Sequence, residues 1–395
     1  MDQTVAARSA KADAAVGCLI GGMVGDVLGA GVEGWPAGRI STFSEAAGGL
    51  LRDFFPCIHM GNKPHKGYVG PPKNDHDVQY ARFGMYTDDT NMSLALATSL
   101  VECQGLDGAH AARKYAEFYF DTSEPTRFVP DSAERVMQCV LDGIDYRETG
   151  LPPHFPFQGG SYANGGMMRI APLGIAFRNA EIDEMYRAAE EAIRSSHVHP
   201  ESVDAAALQA CAVAACARHR ESATDVEFDM AQLLSRLQTM ARTGVLHRRL
   251  KRVLEELQLA TVESDDAAMM RKILTERPED ECIGSGFDFQ IGSIDLLPCV
   301  MWVAGRYYKQ PEEAIIRAVA VGGDTDTLAS CVGTIVGALH GAGWIPSRWW
   351  SALENGKRGR DFVVALAEQL SELDARSTLT FGGDDDFPIF EEGSI

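Results

Sequence analysis

An all-α fold is what the amino-acid sequence predicts, and two observations carry that prediction. Apolar residues recur at spacings of three and four through nearly every periodic stretch, with Ala, Leu, Glu, Gln and Arg filling the remaining positions. Alternating runs of Val, Ile, Thr and aromatic residues, which mark half-buried strands, are almost absent. An apolar fraction of 45% with 23% charged residues fits a soluble globular protein with a large core.

From the N-terminus, residues 1–13 lack the basic-then-apolar build of a secretory signal and read as flexible. The apolar stretch Ala14–Gly25 meets Asp26 too early to span a bilayer. Gly17, Gly21, Gly25 and Gly29 recur every four residues, and so do Ala329, Gly333, Gly337 and Gly341 near the other end. On a helix each set forms one smooth stripe. An isolated helical glycine costs about 1 kcal/mol relative to alanine, so four in register need close packing of backbones in return. The two stripes fit a helix crossing in a soluble core, against each other or against separate neighbours.

Further along, the helical period marks Asn91–Val101, Ala109–Phe120, Ser132–Leu141, Ile182–Ile193, Ser202–Ala217, Asp229–Ala241, Leu246–Leu257, Ala267–Leu274, Pro311–Val321, Leu328–Leu339 and Asp361–Leu373. Residues 52–86, rich in Pro, Gly, His and Lys, read as a long irregular insertion that serves as a lid or a protein-substrate surface. Residues 150–172 form a second loop, Gly-rich at its centre. No composition break divides the chain, so a single domain is expected over 14–376, followed by an acidic tail at 377–395.

The net charge of −20 argues against a nucleic-acid strand or an anionic membrane as partner, although five acidic residues of the tail exaggerate it. Nine cysteines are scattered singly with no C-x-x-C pair, which fits free thiols in a reducing compartment rather than a disulfide framework or a Cys₄ zinc site. The cytosol is expected, with the nucleus as alternative, and the chain is expected to be a monomer.

Chemistry concentrates in two short acidic clusters, Thr87-Asp88-Asp89 and Asp324-Thr325-Asp326-Thr327, each opening a helix. Four carboxylates with threonine hydroxyls, brought together by folding, make an all-oxygen site for a hard divalent cation, best matched by a pair of Mg²⁺ ions. A helix N-terminus behind each cluster favours ionised carboxylates. The plainer alternative is a pair of ordinary N-caps, where Asp and Thr are preferred. The loop Gly159-Gly160-Ser161-Tyr162-Ala163-Asn164-Gly165-Gly166 permits positive φ and lets backbone N–H groups approach an anion, so it can cradle phosphate without lysine. His197 and His199 lie two apart, off a common helical face and without a nearby third zinc ligand; His199, beside Pro200, reads as a capping or surface residue. Phe287 and Phe289 suit either a stacked base or the core.

YTDDTNMSLALA, GGSYANGGMMRIAP, SSHVHPES and GGDTDTLAS, preceded by GGMVGDVLGAGVEG, resemble in order and character the ADP-ribosylglycohydrolases, over roughly residues 14–345. That resemblance implies an orthogonal helical bundle with a binuclear Mg²⁺ site held by Thr87, Asp88, Asp89, Asp324, Asp326 and Thr327. It implies ADP-ribose binding by Gly160, Ser161 and Tyr162, a ligand- or loop-fixing role for Asn164, and His197 lining the site. Glu33 matches a glutamate near the scissile bond, and Asp324 or Glu33 takes the catalytic carboxylate roles. The implied activity is Mg²⁺-dependent hydrolysis of the glycosidic bond between ADP-ribose and a protein side chain, or of a small molecule containing ADP-ribose. The form of GGDTDTLAS leans toward the serine and poly(ADP-ribose) branch, or bacterial relatives, over the vertebrate arginine-specific branch. The alternatives are a non-catalytic ADP-ribose binder of the same fold and an inert helical scaffold. A third, a D-x-D-x-T phosphatase, needs its motif after a strand near the N-terminus rather than late in a helical chain.

Overall fold

The computed structural model describes residues 8–54, 58–59, 79–80, 83–125, 127, 129–224, 226–275 and 289–375. These residues are helical apart from their connections and one antiparallel pairing of Ile58–His59 with Gln79–Tyr80. That pairing lies inside the 52–86 insertion, most of which is outside the described residues. Its described base is pinned: Trp349 Nε1 donates to Arg52 O at 2.8 Å, and Phe54 stacks on the Trp349 ring.

All eleven expected helices are present, and their ends differ by a few residues, as fraying and capping dictate. Side-chain caps explain several starts. Asp107, Asp229 and Asp265 each accept from the backbone N–H three residues on, at 2.9, 2.8 and 2.9 Å. Likewise Ser9 Oγ accepts from Ala12 N at 3.3 Å, so the first helix is Ala10–Ala30, and the expectation of flexibility through residue 13 is corrected there. Asp13 in that first turn accepts from Arg220 Nη2 at 2.8 Å and from Ala342 N at 3.2 Å, which holds the turn against the body.

Ala10–Ala30 is long and apolar enough, by length and composition, to cross a membrane, yet 94% of its most apolar window is buried inside the protein. What buries it is the Thr325–His340 helix, lying antiparallel along its glycine stripe. A Cβ built on Gly17, Gly21, Gly25 or Gly29 would sit less than 3.0 Å from backbone atoms of Gly337, Gly333, Ala329 and Asp326 respectively. The stripes therefore face each other, and the missing Cβ atoms are what let two backbones touch. The last pairing places the start of the second acidic cluster against the end of the first helix.

One long helix escapes the period. Ser293–Tyr307 carries Pro298 inside it and is buried from Ser293 to Ala304, so it shows neither a clean apolar stripe nor an unbroken helical signal. Proline at 298 leaves the Ile294 carbonyl without its i+4 donor. Arg249 Nη1 replaces that donor at 2.8 Å, and the same guanidinium pairs with Asp295 at 2.7 Å, both groups fully buried. Five helices of four to seven residues, at Ala37–Phe43, Tyr146–Thr149, Gly165–Met168, Ala171–Ala176 and Ser347–Ala352, are too short for periodicity to register. Among the described residues all seven cysteines are free, in keeping with the reading of their spacing.

Gly25→Ala is expected to lower unfolding free energy by about 3 kcal/mol or more, because the new methyl meets rigid backbone rather than a movable side chain. Gly38→Ala, in the Ala37–Phe43 helix with open space around it, is expected to stabilise by roughly 0.5–1 kcal/mol. Urea unfolding of the two variants beside the unsubstituted protein checks both signs.

Candidate active site

Two loops carry the acidic residues to one place. Gly322 and Gly323 turn at φ +80° and +85°, a region open to glycine, and deliver Asp324 to the start of its helix. The turn is stitched to the loop after the first helix, with Gly34 N donating to Gly323 O at 2.7 Å and Gly323 N to Trp35 O at 3.0 Å. Glu33 rides on that loop. Oxygens of Glu33, Asp324 and Asp326 consequently lie within 4.8 Å of one another.

The other cluster joins across the chain. Thr327 Oγ1 donates to Asp89 Oδ2 at 3.3 Å, and Thr87 Oγ1 lies 3.5 Å from the same oxygen. Asp26, from the middle of the first helix, underpins this half. Its carboxylate accepts from Thr87 N at 3.0 Å, Thr90 N at 3.0 Å, Thr87 Oγ1 at 2.9 Å and Thr90 Oγ1 at 2.6 Å. It thereby takes the N–H of the N-cap residue Thr87 and of Thr90 at the start of the Asp88–Cys103 helix. Asp26 is a site residue that sequence reasoning missed. Its signal in the sequence was a charge that interrupts the apolar, glycine-rich run beginning at Ala14.

Burial raises Asp26, Asp88, Asp89, Asp324 and Asp326 above the ordinary carboxylate range. For Asp88, Asp89 and Asp326 the neighbouring carboxylates push further in the same direction. Hydrogen bonds work against the rise at Asp26, from Thr90 and Thr87, and at Asp324. Such a cluster needs either protons or a cation. Asp89 Oδ1 is buried with no hydrogen-bond partner, an orphan that a cation would satisfy. With donors that are all oxygen, the set fits a hard divalent ion.

The acidic cluster lines a cleft of about 750 Å³, a volume typical of small-ligand sites. Ser161, Asn164, His197 and Phe289 line it, as expected of ligand contacts, while Met137 and Phe155 add apolar wall. Gly160 and Tyr162 do not line it. Gly160 turns the loop at φ +75°, where a Cβ would strike Val198. The Tyr162 ring lies edge-on to His199 at 6.1 Å, and its carbonyl accepts from Ser293 N at 3.0 Å. The N–H groups of Gly160, Ala163 and Asn164 are bonded to Phe157 O, Ser161 Oγ and Ile291 O, so the anion cradle expected of this loop is narrower than its glycine content implies. His199 caps the Pro200–Ser222 helix through Nδ1, accepting from Glu201 N at 3.3 Å, as its place beside Pro200 predicts. Phe287 is outside the described residues.

Asn164 ties the loop to the acidic cluster: its Nδ2 donates to Asp324 Oδ2 at 2.6 Å and to Gln290 O at 3.2 Å. Gln290, fully buried, accepts Asp324 N on its Oε1 at 3.0 Å and so fixes the same residue from behind. Nothing local in the sequence marks Gln290, because its part in the site exists only where three distant segments meet.

Two outcomes follow from the electrostatics. Carboxylates whose folded-state pKa lies above the unfolded value bind more protons when folded, so their contribution favours folding at low pH and is lost as pH rises from about 4 through the raised values. Stripped of cations, the protein should lose stability on going from about pH 5 to 7.5, and millimolar Mg²⁺ should restore more at pH 7.5 than at pH 5; melting curves at both pH values test the sign. Asp26→Ala, which strands four donors, should cost on the order of 3 kcal/mol, and Asp26→Asn should weaken divalent-cation affinity about 10–100-fold, read by calorimetry.

Known proteins of similar sequence and fold exist. The chain is 26% identical over 374 residues to ADP-ribosylhydrolase ARH3 of Gallus gallus, covering 89% of this chain and 92% of that protein. Against ADP-ribosylhydrolase ARH3 of Homo sapiens it is 25% identical over 381 residues, covering 91% and 93%. A solved structure described as an ADP-ribosylglycohydrolase-related protein complex superposes with a TM-score of 0.59 at 25% identity, over 92% of this chain and 99% of that one. The sequence profile of ADP-ribosylglycohydrolases matches residues 7–379, nearly the whole chain, and the chain belongs to the ADP-ribosylglycohydrolase family.

Proposed function

We propose that the protein hydrolyses the glycosidic bond between ADP-ribose and a protein side chain in an Mg²⁺-dependent reaction, with serine O-linkages or poly(ADP-ribose) favoured over arginine N-linkages. The observation that carries the reading is the convergence of Asp89 with Thr327 and of Glu33 with Asp324 and Asp326 in the wall of the ligand-sized cleft. The preference among linkages rests on the form of GGDTDTLAS and on the similarity to the ARH3 proteins. Thr87, Asp88, Asp89, Asp324, Asp326 and Thr327 would hold two Mg²⁺ ions, whose charge would orient the ribose hydroxyls and acidify water.

The residues of the chain divide the remaining work. Asp324 is immobilised by Asn164 Nδ2 on its carboxylate and by Gln290 Oε1 on its N–H, which suits a group that must keep its position. Glu33 is half-buried on a loop, which suits the carboxylate that takes a proton from water as the water oxygen bonds to the anomeric carbon and the bond to the side chain breaks. The departing side-chain atom then recovers that proton. Cleavage builds oxocarbenium character at the ribose, and the surrounding anionic oxygens stabilise that positive charge. Ser161 and His197 meet the polar parts of the ligand, and Phe289 offers a face to adenine.

Hydrolysis of ADP-ribosyl-serine peptide, ADP-ribosyl-arginine peptide and poly(ADP-ribose), side by side with Mg²⁺ or chelator, tests the reading. Turnover of the serine or polymer substrate that chelator abolishes is expected. ADP-ribose binding without turnover of any of the three would instead establish a binding protein. Glu33→Gln should lower kcat about 10²–10⁴-fold with cation affinity nearly unchanged, whereas Asp324→Ala should lose both.

A further inference from the structure

A chain of hydrogen bonds beside the cleft decides what His197 can offer a ligand. Arg169 is buried, and its guanidinium fork spans two walls: Nη1 donates to Gly165 O at 2.9 Å and Nη2 to Ser196 Oγ at 2.6 Å. Ser196 Oγ in turn lies 2.7 Å from His197 Nδ1. Because arginine only donates, Ser196 Oγ is the acceptor in the first contact, and its own proton is left for one other group. Two acceptors are in range. Ile193 O is 3.4 Å away and already receives Ser196 N at 3.0 Å and His197 N at 2.9 Å. His197 Nδ1 is far closer, so the hydroxyl proton belongs there. An Nδ1 that accepts leaves the proton of a neutral imidazole on Nε2. That edge of the ring faces Gly165, where a Cβ would sit 3.0 Å from Nε2, in a segment that lines the cleft.

We infer that Ser196, oriented by Arg169, is a positioning residue that locks His197 as the neutral Nε2–H tautomer, so that His197 serves the cleft as a hydrogen-bond donor to a ligand oxygen and not as a proton acceptor. The inference rests on the reading of the cleft as an ADP-ribose site for the identity of that oxygen, which belongs to the diphosphate or to a ribose. Burial and the adjacent Arg169 charge also hold His197 well below the usual imidazole range, which agrees with a ring that stays neutral. A donor of fixed direction discriminates in favour of an acceptor-rich ligand, since a group with no lone pair there would leave a buried N–H unpaired.

The ¹⁵N resonances of the His197 imidazole, assigned by comparison with His197→Gln, test the lock in the whole protein at neutral pH. Protonated Nε2 with bare Nδ1 is expected. A proton on Nδ1, or a charged ring, overturns the inference with no variant needed. Ser196→Ala should let the tautomers mix and weaken ADP-ribose binding on the order of tenfold, about 1.4 kcal/mol, while Ser196→Thr keeps both readouts near those of the unsubstituted protein. A folded Ser196→Ala protein with unchanged tautomer and unchanged affinity also overturns it. Should Ser196→Ala fail to fold, the resonances of the unsubstituted and Ser196→Thr proteins still decide. ADP-ribose and AMP as ligands separate contacts to the second phosphate and distal ribose from contacts to the adenylate. An unsubstituted protein that binds no ADP-ribose defeats the functional reading, and the tautomer then still stands or falls by its own spectrum.

Discussion

Backbone contact between the first helix and the Thr325–His340 helix is the constraint on which the site depends. Glycines at 17, 21, 25 and 29 meet Gly337, Gly333, Ala329 and Asp326 with no side chain between them. Helix axes usually lie 8–10 Å apart, set by the side chains at the contact; removing those side chains removes the slack. Asp26 and Asp326 are thereby carried on two rods that cannot slide past one another. Thr325 Oγ1 donating to Gly29 O at 2.8 Å completes the lock at the end nearest the chemistry. The helical cost of so many glycines is offset by dispersion contacts along the interface and by the fixed register it imposes.

On that frame the protein concentrates like charge to a degree that burial ordinarily forbids. Five aspartates, Asp26, Asp88, Asp89, Asp324 and Asp326, share a small volume with Glu33; burial raises the proton affinity of all five aspartates, and neighbouring carboxylates raise that of Asp88, Asp89 and Asp326 further. They do not all have the same function. Asp26 spends its carboxylate on four threonine donors and organises a helix start, and Asp324 is held from two sides. Asp89 retains an oxygen with no protein partner. A division between anchored and unsatisfied oxygens is what a cation-binding centre requires, because ligands hold geometry only if something else holds them.

The far wall of the cleft depends on a second buried charge. Arg249 supplies the hydrogen bond that Pro298 denies Ile294 O, pairs with Asp295, and donates to Leu274 O at 3.1 Å. It therefore fixes the start of the Ser293–Tyr307 helix. Immediately before that start, Gln290 and Ile291 grip Asn164, Gln290 also takes the Asp324 N–H, and Phe289 faces the cleft. A proline that would break an isolated helix is tolerated because a guanidinium from another helix is delivered to the orphaned carbonyl.

Helical class, eleven helix positions, the two glycine stripes and the two acidic clusters were legible in the sequence, because each is a local pattern of period, composition or short motif. Family resemblance added Glu33 and His197, whose single letters say nothing by themselves. The Ser293–Tyr307 helix was not legible, since a helix buried on every side has no polar face to set its period and its proline is excused only by a distant arginine. Nor were the mutual facing of the stripes, the use of Asp26 as an anchor, the Asp324–Asn164–Gln290 clamp, or the withdrawal of Gly160 and Tyr162 from the cleft wall. Each of these is a relation between residues far apart in the chain, and a one-dimensional pattern records what a residue is but not which partner folding will place against it.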